Sequence, residues 1–130
     1  MNESILPEGW PPPSGYSNAI SANGRIVALA GQIGWNPRTQ SFATDDFVEQ
    51  ARQALHNVVD VLDAAGGRPE HVVRLIWYVT SVNNYLWNLK PLGSAYRDVF
   101  GAHYPAMSVV VVAGLLERRA LLEIEATAVI

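Results

Sequence analysis

The 130-residue chain contains no cysteine, which excludes disulfide bonds, cysteine-ligated zinc or iron–sulfur sites, and thiol nucleophiles. It also has no excess of basic residues, because 9 Lys and Arg stand against 12 Asp and Glu, for a formal net charge of −3. Nucleic-acid-binding domains usually carry a basic excess, so we expect no nucleic-acid partner. Since 49% of the residues are hydrophobic and the chain is too short for two ordinary cores, we expect one globular domain over residues 1–130.

Long apolar segments are also missing. The longest apolar run, Val109–Leu116, is far shorter than the roughly 20 residues of a membrane-spanning helix. The segment Met1–Glu8 has no basic stretch followed by an apolar one, so no signal peptide is predicted. We therefore expect no membrane partner and a cytoplasmic location.

Hydrophobic periodicity predicts the order β-β-α-β-α-β-β and an α+β fold. Asn23-Gly24 tolerates the positive φ of a tight turn, so the flanking Tyr16–Ser21 and Arg25–Ile33 are predicted to form a β-hairpin. The remaining predicted elements are a helix that begins after Thr44–Asp46 and stops at Gly66-Gly67, a strand over Val72–Ser81, a helix over Pro91–Phe100, and strands over Met107–Leu115 and Leu121–Ile130 joined by a hairpin tip at Glu117–Arg119.

Two helices can cover only one face of the predicted mixed sheet. The segments Val109–Val112 and Leu75–Val79 hardly alternate between apolar and polar residues, a pattern typical of strands that are apolar on both faces. Each methylene group left in water costs about 0.8 kcal/mol relative to burial. We therefore predict a symmetric oligomer in which the uncovered sheet faces pack together; the alternative is an unusually apolar monomer.

The last predicted strand carries two carboxylates on one face. Strand periodicity places Glu123 and Glu125 opposite Leu122, Ile124 and Ala126. If the apolar side meets the helices, both carboxylates point toward the oligomer contacts, where desolvation and mutual repulsion favour a general base. A structural hydrogen-bond network or simple solvent exposure are the alternatives.

Other catalytic patterns are lacking. The three histidines, His56, His71 and His103, are widely separated, so separate polar roles are expected and no metal site is predicted. Arg118-Arg119 is predicted to be solvated at a hairpin tip.

Several short segments, in this order, resemble the RidA/YjgF family over nearly the whole chain. They are Gly15-Tyr16, Ala30–Ile33, Gln50–Leu55 with Asn57, Ala64–Gly66, Tyr96–Phe100, Tyr104–Ala106 and Glu123–Ala126. The resemblance implies a chorismate-mutase-like fold assembled as a homotrimer, with small-molecule clefts between subunits. It also implies hydrolysis of enamines or imines derived from amino acids, without a metal or organic cofactor.

The resemblance further implies individual roles. Tyr16 would line the cleft, the Gly31 backbone would contact the substrate, and Glu123 would position or activate the attacking water. Met107 and Val109 would form an apolar wall of the cleft.

Two positions depart from the family pattern. The family's Pro-Ala-Arg-Ser motif reads Pro105-Ala106-Met107-Ser108 here, and Gly93 stands where an asparagine is expected. Met107 cannot make the bidentate pair by which the family's arginine binds the substrate carboxylate. These changes point to a less anionic substrate, a relocated cation such as Arg97, or a cleft kept for binding only. The two leading hypotheses are therefore a RidA-like hydrolase of altered specificity and a non-catalytic metabolite-binding protein.

Overall fold

The structure, a computed structural model, describes residues 2–130. Within them it contains six strands and three α-helices, and a 3-10 turn over Pro69–His71 precedes the fourth strand. In chain order the elements are β1 (Glu3–Ile5), β2 (Ala19–Ser21), β3 (Ile26–Ile33), α1 (Phe47–Ala64), β4 (Val72–Val79), α2 (Val82–Leu86), α3 (Leu89–Phe100), β5 (Ala106–Val111) and β6 (Leu122–Val129).

The main sheet has four strands in the order β3-β6-β4-β5. Strand β6 pairs antiparallel with both β3 and β4, and β4 pairs parallel with the edge strand β5. The parallel pair is possible because α2 and α3 form the crossover between its strands. The predicted α+β fold, with a mixed sheet and two main helices, is confirmed.

The core lies between one face of this sheet and the helices. On β4, Leu75, Trp77 and Val79 are buried, and on β6 the buried residues include Leu122 and Ile124. Their cross-strand partners lie on the same face, where α1 packs on β3, β6 and α3. The odd-numbered residues of β6 therefore face the side of the sheet that the helices leave open.

Helix α1 is defined at both ends by local signals. Asp46 caps its first turn by accepting a hydrogen bond from the backbone N–H of Glu49 at 3.0 Å, which satisfies one donor that the helix leaves unpaired. At the other end Gly66 has φ +84°, and the N–H of Gly67 donates to the carbonyl of Leu62 at 2.8 Å. This is the Schellman arrangement that a left-handed glycine permits, and it confirms the predicted stop.

The predicted hairpin around Asn23-Gly24 is wrong. Strand β2 pairs with β1 in a separate two-stranded sheet, and β3 pairs with β6. Strands β3 and β6 have eight residues each, so they form a longer ladder with each other than β3 could form with the three-residue β2. Gly24 instead passes close to the chain's far end, where Arg25 and Ile130 exchange backbone hydrogen bonds.

The predicted hairpin tip at Glu117–Arg119 is also wrong, because β4 lies between β5 and β6 in the sheet. The segment after β5 is a crossing connection rather than a tight turn. Arg119 is held there by Asp45, to which its Nη2 donates at 2.9 Å, and its guanidinium lies over the ring of Phe42. Arg118 and Arg119 are both exposed, as predicted, and the pair with Asp45 lies at the surface.

The second main helix begins two residues earlier than predicted, at Leu89. Pro91 still falls in the first turn, where a missing N–H breaks no intrahelical hydrogen bond. Ion pairing between Arg52 and Asp98, at 2.7 Å, joins α1 to α3. None of the helices within residues 2–130 is both long and apolar enough to cross a membrane.

Candidate functional site

Glu123 lies on the open face of the sheet, beside the bend in β3. Its register partners are Ile33 on β3 and Tyr78 on β4, and the β3 ladder shifts register between Leu29 and Gln32. Gly31 occupies this bulge, and a Cβ there would overlap the Glu123 carboxylate and lie 2.6 Å from its Cδ. A glycine is therefore required at position 31 for the carboxylate to lie against the backbone.

The two predicted carboxylates differ in their partners. Tyr78 donates a hydrogen bond to Oε1 of Glu125, and this bond is the main reason that the pKa of Tyr78 is raised above its usual value. Within residues 2–130, no side chain or backbone group makes a hydrogen bond or ion pair with the Glu123 carboxylate. Glu125 is thus part of a structural pair, and Glu123 is left available to water or a ligand.

Gln50 positions the segment that leads into β6. It is fully buried in α1, and its Nε2 donates to the carbonyls of Thr44 and Arg119, both at 3.0 Å. Its Oε1 accepts from the backbone N–H of Leu121 at 2.9 Å, two residues before Glu123. A single amide group therefore fixes the start of the strand that carries the carboxylate.

Asn57 lies about two turns further along α1. It fixes the end of β3 as Gln50 fixes the start of β6. Its Nδ2 donates to the carbonyls of Ile33 and Trp35, at 3.0 and 2.9 Å, and Gln53 donates to its Oδ1. The position of Gly31 relative to Glu123 thus depends on Gln50 and Asn57. The sequence analysis assigned neither residue a role, although a buried amide on the apolar stripe of a helix signals a fixed hydrogen-bond partner.

Tyr16 and Met107 line a second feature, a groove of about 630 Å³ that also includes Ser17, Arg74 and Ser108. The chain around Tyr16 is fastened to the start of β5, because the N–H of Ser17 donates to the carbonyl of Pro105 at 3.0 Å. We call this feature the Tyr16 groove. It contains no acidic residue.

The remaining proposed site residues lie near β5 and α3. Met107 and Val109 are partly buried and pack against the core. Gly93 is on α3, where a Cβ would lie 3.2 Å from Nη1 of Arg97. Arg97 is exposed and does not line the Tyr16 groove.

One chain therefore brings the proposed residues together as two separate groups, Gly31 with Glu123 and Tyr16 with Met107. Their separation can be read along strand β4. Tyr78 pairs with Glu123 of the first group, and Arg74 pairs with Ala106, the residue before Met107 of the second group. Four residues along a strand span about 13 Å at about 3.3 Å per residue. The backbones that carry the two groups are therefore about 13 Å apart within one chain.

His71 and His103 have separate structural contacts, and His56 is exposed on α1. His71 accepts at Nδ1 from the backbone N–H of Arg68 at 2.9 Å, and Nε2 of His103 lies 2.7 Å from the carbonyl of Val72. Over the part of the chain that the structure describes, no three His, Asp or Glu side chains are grouped as metal ligands would be.

The fold and the site together define a class of small α+β proteins: a mixed four-stranded sheet, helices on one face, and an unpaired carboxylate against a glycine on the other. A family model described as Endoribonuclease L-PSP matches residues 10–130. The chain belongs to this family, the RidA/YjgF proteins, as the resemblance predicted.

Individual relatives agree with this assignment. A RutC family protein of Pyrococcus horikoshii is 36% identical over 98% of this chain and 98% of its own. A 2-iminobutanoate/2-iminopropanoate deaminase of Dermatophagoides farinae is 34% identical over 92% of this chain and 90% of its own. Among solved structures, a Rid family protein of Yersinia pestis is 36% identical, with a TM-score of 0.86 over 99% of this chain and 98% of its own.

Proposed function

We propose that the protein is a cytoplasmic homotrimer that hydrolyses a small enamine or imine in clefts between its subunits. The open face supports association. Ile26 and Val110 are 72% and 42% exposed on the strands, and Ile76 lies among them on β4 with no helix to cover it. A second copy packed on this face would remove these side chains from water.

Association would also unite the two groups of site residues. The Tyr16 groove of one subunit would face Gly31 and Glu123 of the next, so that each cleft receives what a single chain keeps about 13 Å apart. A small substrate would then meet both a binding groove and a carboxylate.

The proposed reaction needs little beyond a placed water molecule. The carbon of a protonated imine is already electrophilic, so positioning supplies much of the rate enhancement. Glu123 would accept a proton as the water oxygen bonds to this carbon, and would return it to the nitrogen. As the carbon–nitrogen bond breaks, the hydroxyl group of the resulting intermediate gives its proton to Glu123, which leaves the carbonyl product, and the released ammonia takes up this proton and departs as ammonium. No metal or organic cofactor takes part in this scheme.

The observation that carries the proposal is the Glu123 carboxylate, which lies against Gly31 and makes no hydrogen bond or ion pair with any group of the described residues 2–130. The similarity to a 2-iminobutanoate/2-iminopropanoate deaminase supports the substrate class. The test is hydrolysis of 2-iminobutanoate, generated in solution, by the wild-type protein and by Glu123→Gln. We expect the variant to lose about 100-fold or more in rate, the range of one general base.

Glu125→Gln is the matched control, since it changes the same functional group two residues away on the same face. Its amide oxygen can still accept from Tyr78, so we expect the rate to stay near wild type. Equal rates for wild type and Glu123→Gln would contradict the proposed role of Glu123. A wild-type rate equal to that of buffer would contradict the hydrolase function.

The second candidate is a non-catalytic small-molecule-binding protein, and Met107 favours it. An apolar, partly buried methionine supplies neither charge nor donors, so it suits a cleft that binds and releases a ligand unchanged. Binding of an imine or keto acid without turnover would support this candidate. Met107→Arg tests how the side chain sets specificity: we expect faster turnover of carboxylated imines, and no gain would count against Met107 as the specificity determinant.

A further inference from the structure

The Tyr16 groove contains one cationic side chain, Arg74. Its other lining residues are Tyr16–Ile20, Val73, Ala106–Ser108 and Thr127, which are neutral. Tyr16, Ser108 and Thr127 add hydroxyl groups to the same lining. A groove with one positive charge, several hydroxyls and no carboxylate favours a small anion.

The sheet register holds Arg74 at this position from both sides. It pairs with Ala106 on β5 and with Thr127 on β6, so its backbone belongs to the centre of the sheet. Ala106 immediately precedes Met107, the position at which the family motif has arginine. Met107 itself pairs with Leu75 and packs toward the helices. Arg74 therefore projects from the opposite, open face, next to Ala106 and one residue away from Met107 along the sheet.

Arg74 is also unoccupied by other partners. The ion pairs within residues 2–130 are formed by Arg52, Arg68 and Arg119, and no hydrogen bond to a protein group holds the Arg74 side chain. It is exposed, so its five N–H donors are open to a ligand. Its charge acts on the neighbouring Tyr78–Glu125 pair, where it partly opposes the rise in the pKa of Tyr78, but it forms no ion pair among the described residues.

We propose that Arg74 binds the carboxylate of the substrate in the Tyr16 groove and so replaces the arginine that the chain lacks at position 107. This inference rests on the proposed function and names its substrate class, a small 2-imino acid. The guanidinium would hold the carboxylate through two parallel hydrogen bonds, and the apolar side chain of Met107 would contact the aliphatic part of the substrate. Arg97, which does not line the groove, would have no such role.

The proposed assembly adds one requirement. Because the Tyr16 groove of one copy would face Glu123 of the next, the Glu123 that acts on a substrate bound to Arg74 would belong to a second copy of the chain. The inference thus predicts that a mixture of Arg74→Gln and Glu123→Gln subunits, reassembled together, regains activity that neither variant has alone.

The primary test compares two probes, 2-iminobutanoate and its uncharged primary amide, on Arg74→Gln, Arg74→Lys and wild type. For the carboxylated probe we expect Arg74→Gln to lower kcat/KM about 10- to 100-fold, as the loss of a charge-assisted pair implies, mostly through KM. Arg74→Lys should retain an intermediate value, because it keeps the charge and loses the bidentate geometry. For the amide, Arg74→Gln and wild type should be equal.

Arg118→Gln is the control, since it removes an exposed arginine outside the groove, and it should match wild type on both probes. Circular dichroism verifies that each variant is folded. If wild type turns over 2-iminobutanoate and Arg74→Gln does so equally well, the inference is overturned while the proposed function stands.

If wild type turns over neither probe, the proposed function fails, and binding of 2-oxobutanoate measured by titration calorimetry becomes the deciding experiment. Binding by wild type that weakens about tenfold or more in Arg74→Gln would support the inference for a binding protein. Equal binding by the two proteins, or no binding by either, would overturn it.

Discussion

Replacing Gln50 by alanine should destabilise the protein substantially, as should replacing Asn57, because each of these buried amides makes three side-chain hydrogen bonds. The Gln50 substitution removes three hydrogen bonds, to the carbonyls of Thr44 and Arg119 and from the N–H of Leu121. These backbone groups are only partly buried, so each lost partner costs about 1 kcal/mol, at the low end of the usual range. We expect a decrease of about 3 kcal/mol in the free energy of unfolding.

The measurement is equilibrium unfolding in urea, followed by circular dichroism at one fixed protein concentration, because association makes apparent stability concentration-dependent. Gln53→Ala is the matched control, since Gln53 lies on the same helix and makes one side-chain hydrogen bond, to Asn57. We expect it to cost about 1 kcal/mol. If the two variants differ by less than 1 kcal/mol, the assignment of Gln50 as the anchor of β6 is refuted.

Three further predictions concern the site, a buried tyrosine and a helix cap. Gly31→Ala should keep the fold and lose hydrolysis, because the new methyl group displaces the flexible carboxylate of Glu123; a thermal melt and the imine assay check this, and full activity would contradict it. Burial raises the pKa of Tyr96, so its stabilising contribution is present below about pH 10 and is lost as pH rises through the folded-state value; Tyr96→Phe should show a shallower alkaline loss of stability in unfolding curves, and an identical slope would refute the assignment. Asp46→Ala should cost about 1 kcal/mol in urea unfolding through loss of the α1 cap, whereas an unchanged midpoint would mean that the cap is not a source of stability.

Local signals in the sequence were sufficient for α1 and for the face of Glu123. The spacing of apolar residues, the acid at Asp46 and the glycine at Gly66 lie within one segment, so the helix and both its ends could be predicted. The alternation along β6 likewise placed Glu123 and Ile124 on opposite faces. Each of these features depends on neighbouring residues only.

Strand pairing could not be predicted in the same way. The partner of β3 is β6, about a hundred residues later, and no property of Asn23-Gly24 reveals that this distant pairing outcompetes a hairpin. The same reasoning applies to β5 and β6, which are consecutive in sequence but separated by β4. Hairpin signals report turn preference, whereas the sheet order depends on which long strands match best across the whole chain.

The site was predictable in its individual members but not in its grouping. The resemblance supplied Gly31, Glu123 and Tyr16, yet their division into two groups follows from the sheet register. Arg74 was overlooked because a single charge in an apolar strand reads as an ordinary solvent-facing residue. Its proposed role can be recognised only in the structure, where Arg74 pairs with Ala106 and lines the Tyr16 groove.

The overlap between a side chain at position 31 and the acid at position 123 makes the two positions mutually dependent in evolution. A lineage that keeps the acid is confined to glycine at 31, and one that replaces the acid with a small residue is released from that constraint. Related chains should therefore vary at these positions jointly rather than independently. This pair would offer a simple criterion for sorting relatives that still perform the chemistry from those that have abandoned it, and directed-evolution libraries should randomise both codons at once.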